Sequence, residues 1–350
     1  MTTNTVDLIP SKNLKASRLP KWAVPATLVG TIAAMALLFW VTPWQGRADY
    51  VVATAIAFML VLTVVSWIKE GGRRARNRLA GNLLLTTMVL AILPLVVGLG
   101  YTIAKGLARF DKVFLTHSMR NVAESDPGGG AYHAIIGTIE QVGIATIIAV
   151  PIGLLVSIYL VEYAQGKRYG RLVSTFVDVM TGLPSIVAGL FILSFWIIIL
   201  GHDFSGFAGS LALIIIMLPV VVRTTEEMLR LVPDPLREAS AALGVPRWRT
   251  TVSVVLPTAL PGITTGVMLA IARVMGETAP VLLTVFGTQS INNNPFNGPQ
   301  ESLPLFVFSE AGQPNQTAID RAWAGALTLI LIVVILNVVA RLIVSRRALR

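Results

Sequence analysis

Apolar runs longer than about 18 residues recur along this 350-residue chain, and they limit its fold more than any other feature. Such runs cross a bilayer, where every backbone polar group must be paired within its own segment or a closed barrel. The Val- and Ile-rich stretches have strand-like composition, but at this length they read as helices. Hydrophobic residues make up 54% of the chain and charged residues 13%, which excludes an ordinary soluble core. The expected class is an all-α polytopic membrane protein with about eight transmembrane helices. They are expected at 22–42, 50–68, 79–104, 132–163, 172–200, 209–223, 258–288 and 320–344. Pro151 interrupts the fourth, and Gly182-Leu183-Pro184 predicts a kink within the fifth.

A net charge of +10 could indicate nucleic acid, but the basic residues flank the spans. On one side lie four in the N-terminus, five in 69–78, three in 166–171, five in 223–250 and four in 341–350. The other side holds Arg47, four in 105–130 and Arg321. The positive-inside rule therefore puts both termini and the 223–250 loop in the cytoplasm, at the cytoplasmic membrane, with lipid and no nucleic acid as the surroundings. Residues 1–20 are polar, basic and expected to be poorly ordered. Lys12, Lys15, Arg18 and Lys21 precede a long apolar run without a small-x-small cleavage site, which reads as an uncleaved signal-anchor.

The chain has no cysteine, so thiolate chemistry and disulfides are excluded. His117, His133 and His202 are scattered near outer loops and read as interfacial polar residues; no metal ligand set is expected. No Gly-x4-Gly-Lys-Ser/Thr loop is present, so the chain is not expected to hydrolyse ATP or to bind a cofactor. No nucleophile stands beside a base, so no catalytic residue is named. Trp22, Trp40, Trp44 and Trp67 lie near span ends, as in an aromatic belt. The three glycines at 128–130 predict a mobile loop, and 289–317 reads as a polar outer loop.

Two intramembrane charges carry the strongest functional signal. Arg273 lies in an apolar segment, and Glu277 follows one turn on, on the same helical face. A central charge costs about 2.5–3.5 kcal/mol on insertion scales. An i,i+4 ion pair returns only about 0.2–0.5 kcal/mol on a solvated helix. The pair is therefore expected to face the bundle or a wet cavity, as a passage or as a structural bridge between helices. Pro280 predicts a kink beside Glu277. Arg223 closes the sixth span, where it either snorkels to the interface or joins the pathway. Two guanidinium forks would suit a tetrahedral oxyanion.

Between these spans lies a polar, amphipathic insert, 234–257. Asp234 reads as an N-cap, with Pro235 at the first helical position and Glu238 in the first turn. Ala239 and Ser240 continue the helix over 235–243, Gly244 is a left-handed stop, and Pro246 restarts a second helix. Both helices are expected to lie at a membrane face.

Glu238, Ala239, Ser240, Gly244, Val254, Leu256 and Pro257 together resemble the EAA loop of ATP-driven importer permeases, with Ser for Ala and Val for Ile as mild departures. That resemblance implies a coupling helix that docks on a separate ATPase subunit. Ala272 to Leu282, Gly128 to Thr138 and Thr181 to Leu190 further resemble the PstA type of phosphate-uptake permease, over roughly 80–345. The resemblance implies phosphate passage near Arg223, Arg273 and Glu277. It also implies a second, similar permease forming a heterodimer, two ATP-binding subunits that hold ATP and Mg, and an extracytoplasmic phosphate-binding protein. The implied organisation is a six-helix permease core at 79–345 behind two extra N-terminal helices in 1–78, with a tail at 346–350. Two rival readings are a permease for sulfate or molybdate, and a secondary transporter or channel without an ATPase.

Overall fold

The computed structural model of the chain describes residues 19–20, 22–42 and 46–348. The expectations for Lys12, Lys15, Arg18, Lys21, Trp44 and nearly all of 1–20 lie outside the described residues. The structure divides between Gly98 and Leu99 into two units.

In the first unit, α1 (Ala23–Val41) and α2 (Arg47–Glu70) form an antiparallel hairpin. Tyr50 closes it by donating to the Ile32 carbonyl at 3.1 Å and by meeting the Phe39 ring edge-on. Gly71, at φ +88°, takes a backbone conformation closed to most residues and turns the chain into α3 (Gly72–Gly106). The arginine-rich block is therefore helical, and α3 begins seven residues before the expected start of the third span. One of its members, Arg78, is tied to the buried carboxylate of Glu70 at 2.8 Å.

The second unit is built around α8 (Gly206–Arg230). It packs on α5 (Tyr132–Ile158, continued by a π turn Tyr159–Tyr163) and on α11 (Leu256–Met275). Both crossings are close because glycine lines them. A Cβ on Gly153 of α5 would sit 2.7 Å from the Val221 side chain, and one on Gly266 of α11 would sit 2.6 Å from Thr224. Leu213, Met217, Val221 and Leu229 of α8 form the spine of the core, each almost fully buried.

Contacts at the two ends fix the course of the chain. Gln300 bridges the starts of α5 and α8: its Oε1 accepts from Gln141 at 3.0 Å, and a Cβ on Gly206 would overlap it. At the opposite end Arg237 pairs with Glu162 at 3.0 Å, joining the finishes of the same two helices. Since α5 and α8 run the same way, the segment between them must carry the chain back. It does so in two pieces, α6 (Arg168–Thr181) and α7 (Ser185–Ile192, continued by a π turn Leu193–Ile199), bent by 102°. The expected kinked fifth span is thus a broken one. Pro184 cannot continue α6, because it lacks an N–H and biases Leu183 away from helical backbone. Among the described residues, seven helices are long and apolar enough to cross a membrane, or eight with the bent pair taken as one.

The sixth and seventh spans also differ from expectation. Helix α8 runs past Arg223 to Arg230, so Arg223 lies two turns inside it. The seventh begins early: α10 (Arg247–Thr250) passes through a π turn, Thr251–Val255, directly into α11. The helix after Pro246 is therefore the foot of a span and not a separate surface helix. The wide turn sits immediately before Pro257, whose missing N–H would otherwise interrupt an α-helical ladder. At its far end α11 stops at Met275 with Gly276 as C-cap, and a short α12 (Ala279–Leu282) follows with Pro280 in its first turn. In place of the expected kink at Pro280, the helix ends at its Gly276 cap and restarts with Pro280 in the first turn of α12.

The two segments expected to be loops carry packed structure. Residues 105–130 contain α4 (Lys112–Thr116), and a Cβ on Gly130 would lie 2.3 Å from the Phe114 carbonyl. Arg109 donates to the carbonyls of Pro127 and Gly129, and a Cβ on Gly129 would lie 2.5 Å from the Met119 sulfur, so Gly129 and Gly130 serve close packing. Residues 289–317 contain α13 (Leu303–Ala311), whose Leu303, Leu305 and Phe306 are buried. It packs on α14 (Gln316–Ala348), with Arg321 of α14 buried against Glu310 at 2.7 Å.

Candidate functional site

Two places in the second unit carry the residues singled out in the sequence. The first is the insert after α8. Helix α9 spans Asp234–Ala242, and Gly244 adopts φ +74°, the left-handed stop expected of it. Asp234 does not cap the helix; it accepts from Arg237 at 3.2 Å. Glu238 and Ala239 face outward, and Gly244 and Pro257 are exposed, while Leu256 is half-buried. Ser240 is turned inward and hydrogen-bonds Thr250 at 2.8 Å, fixing α9 against the foot of the next span.

Arg237 is the residue that sequence reasoning missed. Its guanidinium donates to Glu162 and to the carbonyls of Val232 and Leu229, at 2.6 and 2.9 Å. It thereby satisfies acceptors left open at the end of α8 while bracing α9 on α5. Its partner lies 75 positions away, so local spacing carries no sign of the pair. The one available signal was Glu162 itself, an acid at the end of an apolar span. The outward face of α9 and its surroundings remain uncovered and partly apolar: Leu236, Leu243 and Trp248 are exposed.

The second place is a narrow crevice beside α8. Arg273 lines it at the level of Pro219 and Val220, midway along α8. Opposite stand Thr181, Leu183 and Pro184 at the corner between α6 and α7. The two stretches that carry the sequence signal, 181–190 and 272–282, are thus brought together. They also touch above the crevice, where a Cβ on Gly189 would lie 2.7 Å from the Cα of Pro280.

The expected Arg273–Glu277 ion pair is not formed. Because α11 stops at Met275, the two residues do not share a helical face, and Glu277 lies half-buried in the break. Among the described residues no side-chain hydrogen bond or ion pair reaches either one. Arg223 is the opposite case. It binds Asp178 of α6 and Glu226 of its own helix, and donates to the Ser174 carbonyl at 2.7 Å. Glu226, buried, is shared with Arg230. Arg223 therefore locks α6 to α8, and no contact joins it to Arg273 among the described residues.

His133 is buried and meets the Phe306 ring, against the expected interfacial placement, because α13 covers the start of α5. His202 stacks on Trp196 at 4.1 Å.

Residues 149–348 match the family described as "Binding-protein-dependent transport system inner membrane component". The chain is 50% identical over 272 residues to the phosphate transport system permease protein PstA 1 of Mycobacterium tuberculosis (strain H37Rv), covering 77% of this chain and 88% of that protein. It is 38% identical over 279 residues to the phosphate transport system permease protein PstA of Yersinia pestis, covering 80% and 93%. Among solved structures, a bacterial ABC transporter involved in the import of the acidic polysaccharide alginate superposes with a TM-score of 0.51 at 14% identity, covering 78% of this chain and 99% of that one. That likeness shows the fold alone, an ABC permease bundle. The chain belongs to the binding-protein-dependent transport system inner membrane components, among the PstA-type permeases.

Proposed function

We propose that this chain conducts inorganic phosphate as a transmembrane subunit of an ATP-driven importer working by alternating access. A permease of this family acts with an ATPase and a binding protein. In our reading the assembly contains two ATP-binding subunits, which hold ATP and Mg, a second homologous permease forming a heterodimer, and an extracytoplasmic phosphate-binding protein. This chain itself binds no cofactor. Both termini and α9 face the cytoplasm, as the distribution of basic residues supports. Residues 79–345 form the permease core, 234–257 the coupling loop, 346–350 a cytoplasmic tail, and 1–78 an addition before the core.

The observation that carries the reading is the unpaired Arg273 at mid-depth of the bundle. A guanidinium there has no carboxylate to neutralise it, so an oxyanion in the crevice would be its natural counter-charge. Glu277, one step further along the break, helps to keep that anion from staying bound. Arg223 contributes by holding the α6–α7 corner that forms the opposite wall.

The test is labelled phosphate uptake by cells carrying the assembled transporter, at matched membrane expression. Arg273→Gln is expected to reduce uptake at least about 100-fold, with the complex assembled and its ATPase still active in detergent. Normal phosphate uptake by Arg273→Gln would refute the pathway assignment. Competition by sulfate or molybdate, and not by phosphate, would keep the architecture and overturn the substrate. Uptake that persists without any ATPase partner would favour a secondary transporter.

A further inference from the structure

The basic turn at 166–171 takes no part in the crevice beside Arg273. It leads into α6, where Lys167, Gly170, Arg171 and Ser174 fall at i, i+3, i+4 and i+7 and so share one face. That face borders a cleft of about 450 Å³, whose lining also includes Glu226 and Arg230 of α8. The volume lies within the range of small-ligand sites.

The charges of this cleft do not balance. Glu226 is the one carboxylate lining it, and it is already shared by Arg223 and Arg230. The other carboxylate on Arg223 is Asp178. Four cations, Lys167, Arg171, Arg223 and Arg230, thus stand against two carboxylates, Glu226 and Asp178. Lys167 and Arg171 are exposed, and among the described residues neither makes a side-chain hydrogen bond or ion pair. Neutral donors stand on the same face. The Ser174 hydroxyl accepts from Arg223 at 2.9 Å, which leaves its own proton to donate. Gly170, having no side chain, brings the first turn of α6 into the cleft wall, and the N-cap, Lys167, makes no side-chain cap bond to that turn.

We propose that this cleft is a second anion site, taking a phosphate group held as a compact tetrahedral oxyanion. Guanidinium and ammonium groups from two helices, with a hydroxyl beside them, match oxygens that point in several directions. No aromatic side chain lines the cleft, so the base of a nucleotide would have nothing to stack on. Inorganic phosphate and a lipid headgroup share this chemistry. The site is separate from the crevice beside Arg273: Lys167 and Thr181 lie at the two ends of α6, about 20 Å apart. It stands whether or not Arg273 conducts phosphate. When occupied it ties the start of α6 to Arg230 of α8, beside the Arg223 contacts that already join these helices.

Equilibrium dialysis of the assembled transporter against labelled inorganic phosphate tests this, in phosphatidylcholine nanodiscs without nucleotide or binding protein. Every sample carries Arg273→Gln, so that the crevice does not contribute. Adding Lys167→Gln and Arg171→Gln is expected to weaken the binding of one phosphate per copy of this chain at least about ten-fold. Adding Arg120→Gln instead, near the start of α5, should leave binding as it was. Sulfate should compete for the site, and chloride at equal ionic strength should not. Equal binding with and without the Lys167 and Arg171 substitutions would overturn the proposal. Equal competition by chloride would also overturn it, leaving only a screened patch of charge. Repeating the measurement in phosphatidylglycerol nanodiscs separates the sources. Unchanged binding assigns the site to free phosphate, and loss of the Lys167- and Arg171-dependent fraction assigns it to the lipid headgroup.

Discussion

Arg223 and Arg273 are the same residue type, in adjacent packed helices, and the protein treats them in opposite ways. Arg223 is held by two carboxylates and a backbone carbonyl, whereas Arg273 faces a crevice with none. The first spends its charge on joining α6 to α8. The second keeps its charge available. A buried or half-buried cation that is fully paired resists change, because removing one partner strands the other. A cation left unpaired contributes little to holding helices together, so it can be altered without unfolding the bundle. On the proposed reading, the contrast separates scaffold from passage in a region where both carry arginine.

The sharpest way to break this comparison is Glu226→Gln. It leaves Arg223 and Arg230 short of a buried partner and is expected to destabilise the second unit by about 3 kcal/mol, measured by thermal unfolding in detergent. Arg273→Gln in the same assay should move stability by less than about 0.5 kcal/mol. Equal losses in the two variants would erase the distinction.

A carboxyl that meets no cation among the described residues sharpens the comparison from the other side. Burial pushes Glu301 up to about 7, with repulsion from Glu310 adding to it and the N–H groups of Ser302 and Thr288 opposing it. Its folded value lies above its unfolded one, so its stabilising contribution is complete below about pH 4.5 and is lost as pH rises through 7. The loss is on the order of 3 kcal/mol at most. Hydrogen exchange of the 285–302 segment should therefore quicken between pH 5 and 7.5 after correction for the intrinsic rate, and Glu301→Gln should abolish that dependence.

A smaller loss than that of Glu226→Gln or Glu301 titration is expected at the proposed coupling end. Gly244→Ala places a side chain at φ +74° and should cost about 1 kcal/mol, with nothing around the new Cβ to clash. Its readout is tighter than its energy: ATPase stimulation by loaded binding protein should fall, while Ala239→Ser leaves the hinge intact. A fully coupled Gly244→Ala would mean that the hinge angle is not transmitted.

Much of this was legible because it is local. Long apolar runs announce spans wherever they occur, and the stop at Gly244 follows from turn chemistry alone. The α6–α7 break was visible as Gly182-Leu183-Pro184, but a proline says that a helix yields and not by how much. The end of α11 was misread because Pro280 drew attention away from Gly276, four residues earlier, where the helix stops. The pairings of Arg237 and Gln300 were beyond reach. Their roles depend on which helix ends the fold brings together, and partners 75 and 159 positions apart leave no spacing to read.

Helix α8 is pinned at both extremities, by Gln300 against Gly206 and by Arg237 on the Leu229 carbonyl. A column clamped top and bottom does not swing when its base is pushed; it buckles at its weakest course. That course is Pro219, where the ladder lacks a hydrogen bond, and Pro219 stands beside Arg273. If α9 transmits a thrust, as proposed above, Pro219 is where α8 yields most readily, at the level of Arg273.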